Sequence, residues 1–157
     1  MSDGPFPTDA PAVVTCGLPY ANGALHIGHL RTYVGGDIMT RALRLLGQDV
    51  AFVSGSDMHG TPVAVNAAEE GVDPETFAMR YHEQYTETFP AFHIEFDQYG
   101  HTHDAMNTTT PTEIVEALID AGRVYDAEVP VAYDATGDQW LPDRFVEGTC
   151  PYCGAHA

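Results

Sequence analysis

Lysine is absent from the 157 residues, and the only fixed positive charges are six arginines. Against them stand 23 acidic residues, for a net charge of −17. That balance argues against a chain that grips nucleic acid at low salt by neutralising phosphates, because such binding needs clustered cations. It suits concentrated salt, where the screening length falls to about 3 Å at 1 M. The composition therefore points to a salt-accumulating cytoplasm, with a merely acidic protein as the alternative. Cysteine is nearly as scarce. Cys16, Cys150 and Cys153 are too few for a disulfide framework. No apolar run approaches the roughly 20 residues that a membrane span needs. The tail from Met1 to Pro11 is rich in Pro and Asp and has no apolar h-region, so it does not read as a secretory leader. A cytoplasmic location without membrane contact is the expectation.

What is present is organised around Leu18 to Leu30, LPYANGALHIGHL. Upstream, Ala12 to Leu18 is a short apolar run suited to a buried strand. Pro19, Asn22 and Gly23 are turn residues that end it. Leu25, Ile27 and Leu30 open a helical pattern that continues through Tyr33, Val34, Ile38, Ala42, Leu45 and Leu46, with Gly47 as its stop. A strand, a turn and a helix in that order aim the helix's unpaired N–H groups back toward the strand's end, and such a terminus suits phosphate. His26 and His29 stand three apart, on one face of the first turn. Imidazole donates to phosphoryl oxygen whether neutral or protonated. Gly28 between them permits close approach. The pattern reads as a nucleotide phosphate clamp. Read alone, an HxxH pair is also compatible with two surface histidines on an amphipathic helix.

The run LPYANGALHIGH resembles the first signature of the class I aminoacyl-tRNA synthetases, the HIGH motif, spelled out from His26 to His29. Its flank LPYANG is similar to the methionyl branch. Ser54 to Pro62, SGSDMHGTP, resembles that branch's next block, and Leu141 to Cys153, LPDRFVEGTCPYC, resembles the start of its zinc-bearing insertion. Three ordered blocks cover the chain from about Ala12 onward. The resemblance implies that Asp57 binds the α-ammonium of the amino acid and that Leu18 and Tyr20 line a methionine pocket. It implies that Tyr20, Asn22, Gly23, His26, Gly28 and His29 form the ATP site. It further implies ATP as substrate together with Mg2+, and Zn2+ at Cys150 and Cys153.

The rest of the chain is consistent with an α/β fold, a Rossmann-like parallel sheet with helices on both faces. Asp49 to Ser54 reads as a second strand, apolar enough to be buried on both faces. It delivers Asp57 and His59 to the carboxyl end of the sheet, where ligands collect; a carboxylate there can hold an amino group, and an Asx turn is the structural alternative. Pro62 to Glu70 predicts a helix. Asp73 as N-cap and Pro74 as first residue predict another, running to about Phe89. Its Phe77, Tyr81, Tyr85 and Phe89 recur at fours and predict core packing. Phe92 to Thr102 alternates as a third strand. His93, His101 and His103 read as packing or surface residues, and Arg31, Arg41 and Arg44 as solvated charge. Thr110 and Glu113 form a capping box for a helix ending at Gly122. Beyond it, Val124–Tyr125 and Val129 to Tyr133 read as short antiparallel strands, with a turn at Asp134 to Asp138.

These readings divide the chain into a tail (1–11), the first half of a nucleotide-binding catalytic domain (12–122) and the beginning of a β-rich zinc insertion (123–157). Two cysteines supply half of a four-ligand zinc site, with His156 as a third candidate. A redox CxxC is the rival, though its usual βαβ setting is missing. The implied activity is ATP-dependent formation of methionyl-adenylate followed by transfer to tRNA. The family's lysine-bearing KMSKS block is absent, so an N-terminal fragment with little activity alone is expected. The alternatives are another HxGH nucleotidyltransferase, such as a cytidylyltransferase, or a non-catalytic fragment that binds ATP or a partner.

Overall fold

The computed structural model describes residues 10–136, 139–141 and 148. Its elements, in order, are β1 (Ala12–Thr15), α1 (Ile27–Leu45), β2 (Val50–Ser56), α2 (Thr61–Glu70), α3 (Pro74–Ala91), β3 (Gln98–His101), α4 (Ala105–Asp120), β4 (Ala132–Asp134) and β5 (Gln139–Leu141). Two compact units divide between Pro111 and Thr112.

The first unit holds a parallel sheet in the order β1-β2-β3. Val14 pairs with Phe52, and Gly55 with Gly100. A Cβ on Gly55 would lie 2.8 Å from the Gly100 carbonyl oxygen, so the two strands need glycine at that rung. Phe52, Val14 and Cys16 are buried together with Leu30, Tyr33 and Leu43 of α1 and Tyr85 and Phe89 of α3. Phe89 packs on Tyr33 with ring centroids 4.8 Å apart, and Phe52 on Phe96 at 4.4 Å. Phe77, Tyr85 and Phe89 are core residues as their spacing predicts, and Tyr81 is partly buried against them. The close approach of α1 to the sheet runs through Gly36, where a Cβ would sit 2.6 Å from the Cys16 sulfur and 3.0 Å from the Phe52 ring. Gly35 has open space at the same position.

Several sequence expectations need correction. The first strand stops at Thr15, three residues short of Leu18. β2 is not buried on both faces: Val50 and Phe52 are buried while Ala51 and Val53 are only partly covered, and Val13 beside them on β1 is exposed. The cause is that α1 and α3 pack against the Phe52 side. The third strand is four residues long, because α3 runs on to Ala91 through Pro90 and is closed by Phe92 and His93, the latter at φ 57°. α4 starts at Ala105, since Asp104 accepts the Asn107 N–H at 2.6 Å and caps it there. Thr110, Pro111 and Glu113 are therefore interior to that helix, not its start. The apolar stripe expected on α1 is displaced: Val34 and Ile38 are exposed, while Asp37 and Thr40 are buried with partners.

Two arginines are not merely solvated. Arg44 Nη2 donates to Asp97 Oδ2 at 2.6 Å and to the Val50 carbonyl at 3.0 Å. Asp97 Oδ2 also accepts the Phe52 N–H at 2.6 Å, which, with Arg44, holds that carboxyl below its ordinary range. Arg41 pairs with Asp37 and donates to the His93 carbonyl at 2.8 Å. These contacts fasten the end of α1 to the segment leading into β3. Arg31 is exposed, as expected.

In the second unit, Ala132 pairs with Leu141 and Asp134 with Gln139 in an antiparallel ladder, and Ala135 and Thr136 turn away from the first strand. Val124 and Tyr125 are not in a strand. Cys150, Cys153 and His156, the proposed zinc ligands, lie outside the described residues. Among the described residues no helix is long and apolar enough to cross a membrane.

Candidate functional site

The helix start that carries the HIGH run is closed by its own two histidines. His26 is the N-cap of α1, in extended conformation at φ −122° and ψ 172°. Its Nδ1 accepts the Gly28 N–H at 3.1 Å. His29 Nδ1 reaches back to accept the His26 N–H at 3.2 Å. The arrangement is a capping box built from imidazoles in place of the usual hydroxyl and carboxylate. The rings stack with centroids 3.8 Å apart. A Cβ on Gly28 would meet the His26 ring at 2.9 Å, so glycine is required for the ring to fold over the backbone.

This geometry fixes the tautomer. A ring nitrogen that accepts an N–H carries no proton, so in this arrangement each ring holds its hydrogen on Nε2. Burial, then the neighbouring His26, push the His29 pKa down and favour the same state. Both side chains thus cap the helix with one nitrogen and keep an N–H donor on the other. Two outward donors at a helix N-terminus form a ready binding surface for phosphoryl oxygens.

The turn before the helix is tied to β2. Tyr20 and Asp57 form an isolated parallel bridge: the Asp57 N–H donates to the Pro19 carbonyl and the Ala21 N–H to the Asp57 carbonyl, each at 2.8 Å. Asp57 Oδ1 lies 3.4 Å from the His59 amide, a long bond that leaves the carboxylate largely available. Tyr85, buried in α3, supplies a second tie. Its hydroxyl lies 2.8 Å from the Tyr20 carbonyl and 2.5 Å from that of Gly23, and one hydrogen is shared between them. Burial pushes its pKa up to about 12, so the hydroxyl stays protonated. Asn66 Nδ2 reaches the Asn22 carbonyl at 3.3 Å, and the Tyr33 hydroxyl donates to Gly17 at 2.8 Å.

Leu18 is half exposed and lines a cavity of about 820 Å³ at the carboxyl ends of the strands, with Thr15, Cys16, Gly55, His101 and Thr102. At the end of β2, Ser56 Oγ lies 3.0 Å from both His82 Nδ1 and the Tyr99 hydroxyl. Burial, then His101, lower the His82 pKa. His59 and His103 face each other with ring centroids 5.2 Å apart. Cys16 is buried and its thiol pKa is raised by that burial, which fits a packing residue. Among the described residues no group of three or more His, Cys, Asp or Glu is arranged to hold a metal ion.

The structure therefore brings Tyr20 against Asp57, and His26 against His29 around Gly28. Asn22 and Gly23 contribute carbonyls that α2 and α3 hold. Sequence reading missed Tyr85, Ser56 and Thr102. Tyr85 was legible only as a core aromatic, and nothing along the chain marks where its hydroxyl points.

The sequence profile described as tRNA synthetases class I (M) matches residues 12–157. The chain belongs to that family. Within it, the methionine–tRNA ligase of Haloquadratum walsbyi is 78% identical over 152 residues, covering 97% of this chain and 20% of the relative. That of Haloarcula marismortui is 65% identical, over 100% of this chain and 22% of the relative. A solved structure of Mycobacterium tuberculosis methionyl-tRNA synthetase in complex with methionyl-adenylate matches with a TM-score of 0.77 at 29% identity, over 93% of this chain and 28% of that one. The chain thus spans about a fifth of the length of these curated relatives, and the HIGH run lies inside the matched region.

Proposed function

We propose that these residues form the first half of a methionine-activating site in a protein of the relatives' length. The methionine carboxylate attacks the α-phosphorus of ATP, the bond to the bridging oxygen breaks, and pyrophosphate leaves with the electron pair. A hydroxyl of the terminal ribose of tRNA then attacks the acyl carbon, the carbon–oxygen bond to the phosphate breaks, and AMP leaves with the electron pair. No covalent enzyme intermediate is needed, so the protein's work is positioning and charge stabilisation. His26 and His29 donate from Nε2 to the phosphates as charge moves toward the leaving oxygens. Asp57 holds the α-ammonium, Leu18 and Tyr20 line the methionine side, and Asn22, Gly23 and Gly28 shape the nucleotide loop. ATP arrives with Mg2+. Residues 12–122 are read as the first half of the catalytic domain and 123–157 as the beginning of an insertion whose CxxC supplies two thiolates toward Zn2+.

The single observation that carries this reading is the reciprocal histidine cap, which leaves two imidazole donors at a helix N-terminus joined through its own turn to Asp57. The acidic composition supports a cytoplasm rich in salt, and stability that rises from low salt to molar KCl is its expected signature. The deciding assay is methionine-dependent pyrophosphate exchange. A protein of the relatives' length that carries these residues exchanges, and the 157 residues alone exchange little. Exchange that is indifferent to His26→Ala in the long protein overturns the assignment.

A further inference from the structure

The backbone around Asp57 is held from two directions. On one side the loop after β1 takes the Asp57 N–H and carbonyl through Pro19 and Ala21. On the other side stands Thr102, just past β3. Its N–H donates to the Ser56 carbonyl at 3.0 Å. Its hydroxyl accepts the Met58 N–H at 2.9 Å. Those two groups belong to the two peptide planes that flank the Asp57 Cα. A peptide unit is planar, so fixing both planes fixes φ and ψ at the residue between them. The Cα–Cβ direction of Asp57 is set in consequence. Met58 is 4% exposed and Ser56 is fully buried, so each bond holds a buried backbone group. Of the four hydrogen bonds, only the one to Met58 uses a side chain, and it is the one that substitution can remove alone.

We propose that Thr102 is a positioning residue for Asp57, clamping the peptide planes on both sides of it so that its carboxylate is presented to the substrate ammonium. This rests on the reading of Asp57 as the ammonium-binding group. Removing the hydroxyl leaves the Asp57–Met58 plane held by the Ala21 N–H alone, so the plane can tilt about that one bond, which moves the carboxylate and leaves the hydrophobic part of the amino-acid site in place. The effect is therefore selective for the ammonium.

The test uses a protein of the relatives' length carrying these residues and compares two ligands: methionine, and its analogue with hydrogen in place of the ammonium. Equilibrium competition gives the affinity ratio for wild type, Thr102→Val, Thr102→Ala, Thr102→Ser and Asp57→Asn. Thr102→Val lowers the ratio about tenfold, the scale of a buried donor left without its acceptor. Thr102→Ala does the same if the valine variant does not fold, and Thr102→Ser, which keeps the oxygen, restores the ratio to within about twofold. The ratio collapses in Asp57→Asn. A collapse in Asp57→Asn with an unchanged ratio in both Thr102→Val and Thr102→Ala refutes the positioning role and leaves Asp57 standing. Equal weakening of both ligands in the Thr102 variants likewise refutes it. An unchanged ratio in Asp57→Asn removes the ammonium assignment and the proposal with it.

Discussion

His26 does two jobs with two nitrogens, and a pair of substitutions separates them. Nδ1 caps α1 through the Gly28 N–H, while Nε2 is free to meet a phosphate. His26→Ala removes both. Loss of an N-cap costs about 1 kcal/mol, which for a chain of this size lowers Tm by roughly 2–4 °C. His26→Asn keeps a strong cap, so its Tm stays within about 1 °C of wild type. Asparagine is too short to place a donor where Nε2 stood, and a hydrogen bond to a charged group is worth about 1.5–3 kcal/mol. Both variants therefore lose pyrophosphate exchange by about 10- to 150-fold. Thermal unfolding of the 157 residues in molar KCl reads the first effect, and exchange in the long protein reads the second. Equal melting of the two variants, or an asparagine variant that exchanges like wild type, refutes the division of labour between the ring nitrogens.

Three further expectations follow from the packing. Tyr85→Phe leaves the Tyr20 and Gly23 carbonyls without their shared donor. It costs about 1–2 kcal/mol in urea unfolding and loosens nucleotide binding; an unchanged unfolding midpoint sinks that account of the loop. Gly36→Ala forces a methyl against the Cys16 sulfur and the Phe52 ring and destabilises by about 1–3 kcal/mol, whereas Gly35→Ala, facing open space, does not destabilise. Acid also weakens the fold. His29 and His82 have folded pKa values below the ordinary 6.5, so the unfolded chain binds more protons across that window and stability rises with pH. Their contribution is complete above about pH 6.5 and is lost as pH falls through the folded values. His82→Gln flattens the midpoint-versus-pH curve, and a curve already flat in the wild type contradicts the assignment.

The strand, turn and helix around the HIGH run were legible because each has its own chemistry: β-branched residues, then Pro, Asn and Gly, then a 3.6-residue apolar period. The buried face of α1 was not. Asp37 and Thr40 are buried through bonds to Arg41 and to the Gly36 carbonyl, and hydropathy cannot register a polar residue that finds its partner only after folding. The start of α4 was misplaced for a related reason. Thr110 and Glu113 satisfy a capping pattern, yet Asp104 had already captured the Asn107 amide, and an earlier cap wins. Arg44 read as surface charge because its partner, Asp97, is 53 residues away. Within the site, the histidine pair was visible as a spacing. That the rings cap the helix through Nδ1 is a matter of rotamers and has no trace along the chain. Thr102 and Ser56 are similarly silent.

The outward side of α1 carries Ile27, Ile38 and Leu45, the last 89% exposed, and exposed Leu46 follows at the cap. A surface so rich in carboxylate keeps two copies apart at long range when ions are few. Concentrated electrolyte erases that repulsion and leaves oily ridges free to meet. High salt thus also makes this helix adhesive, and light scattering of these 157 residues should show self-association that grows from low salt to molar KCl.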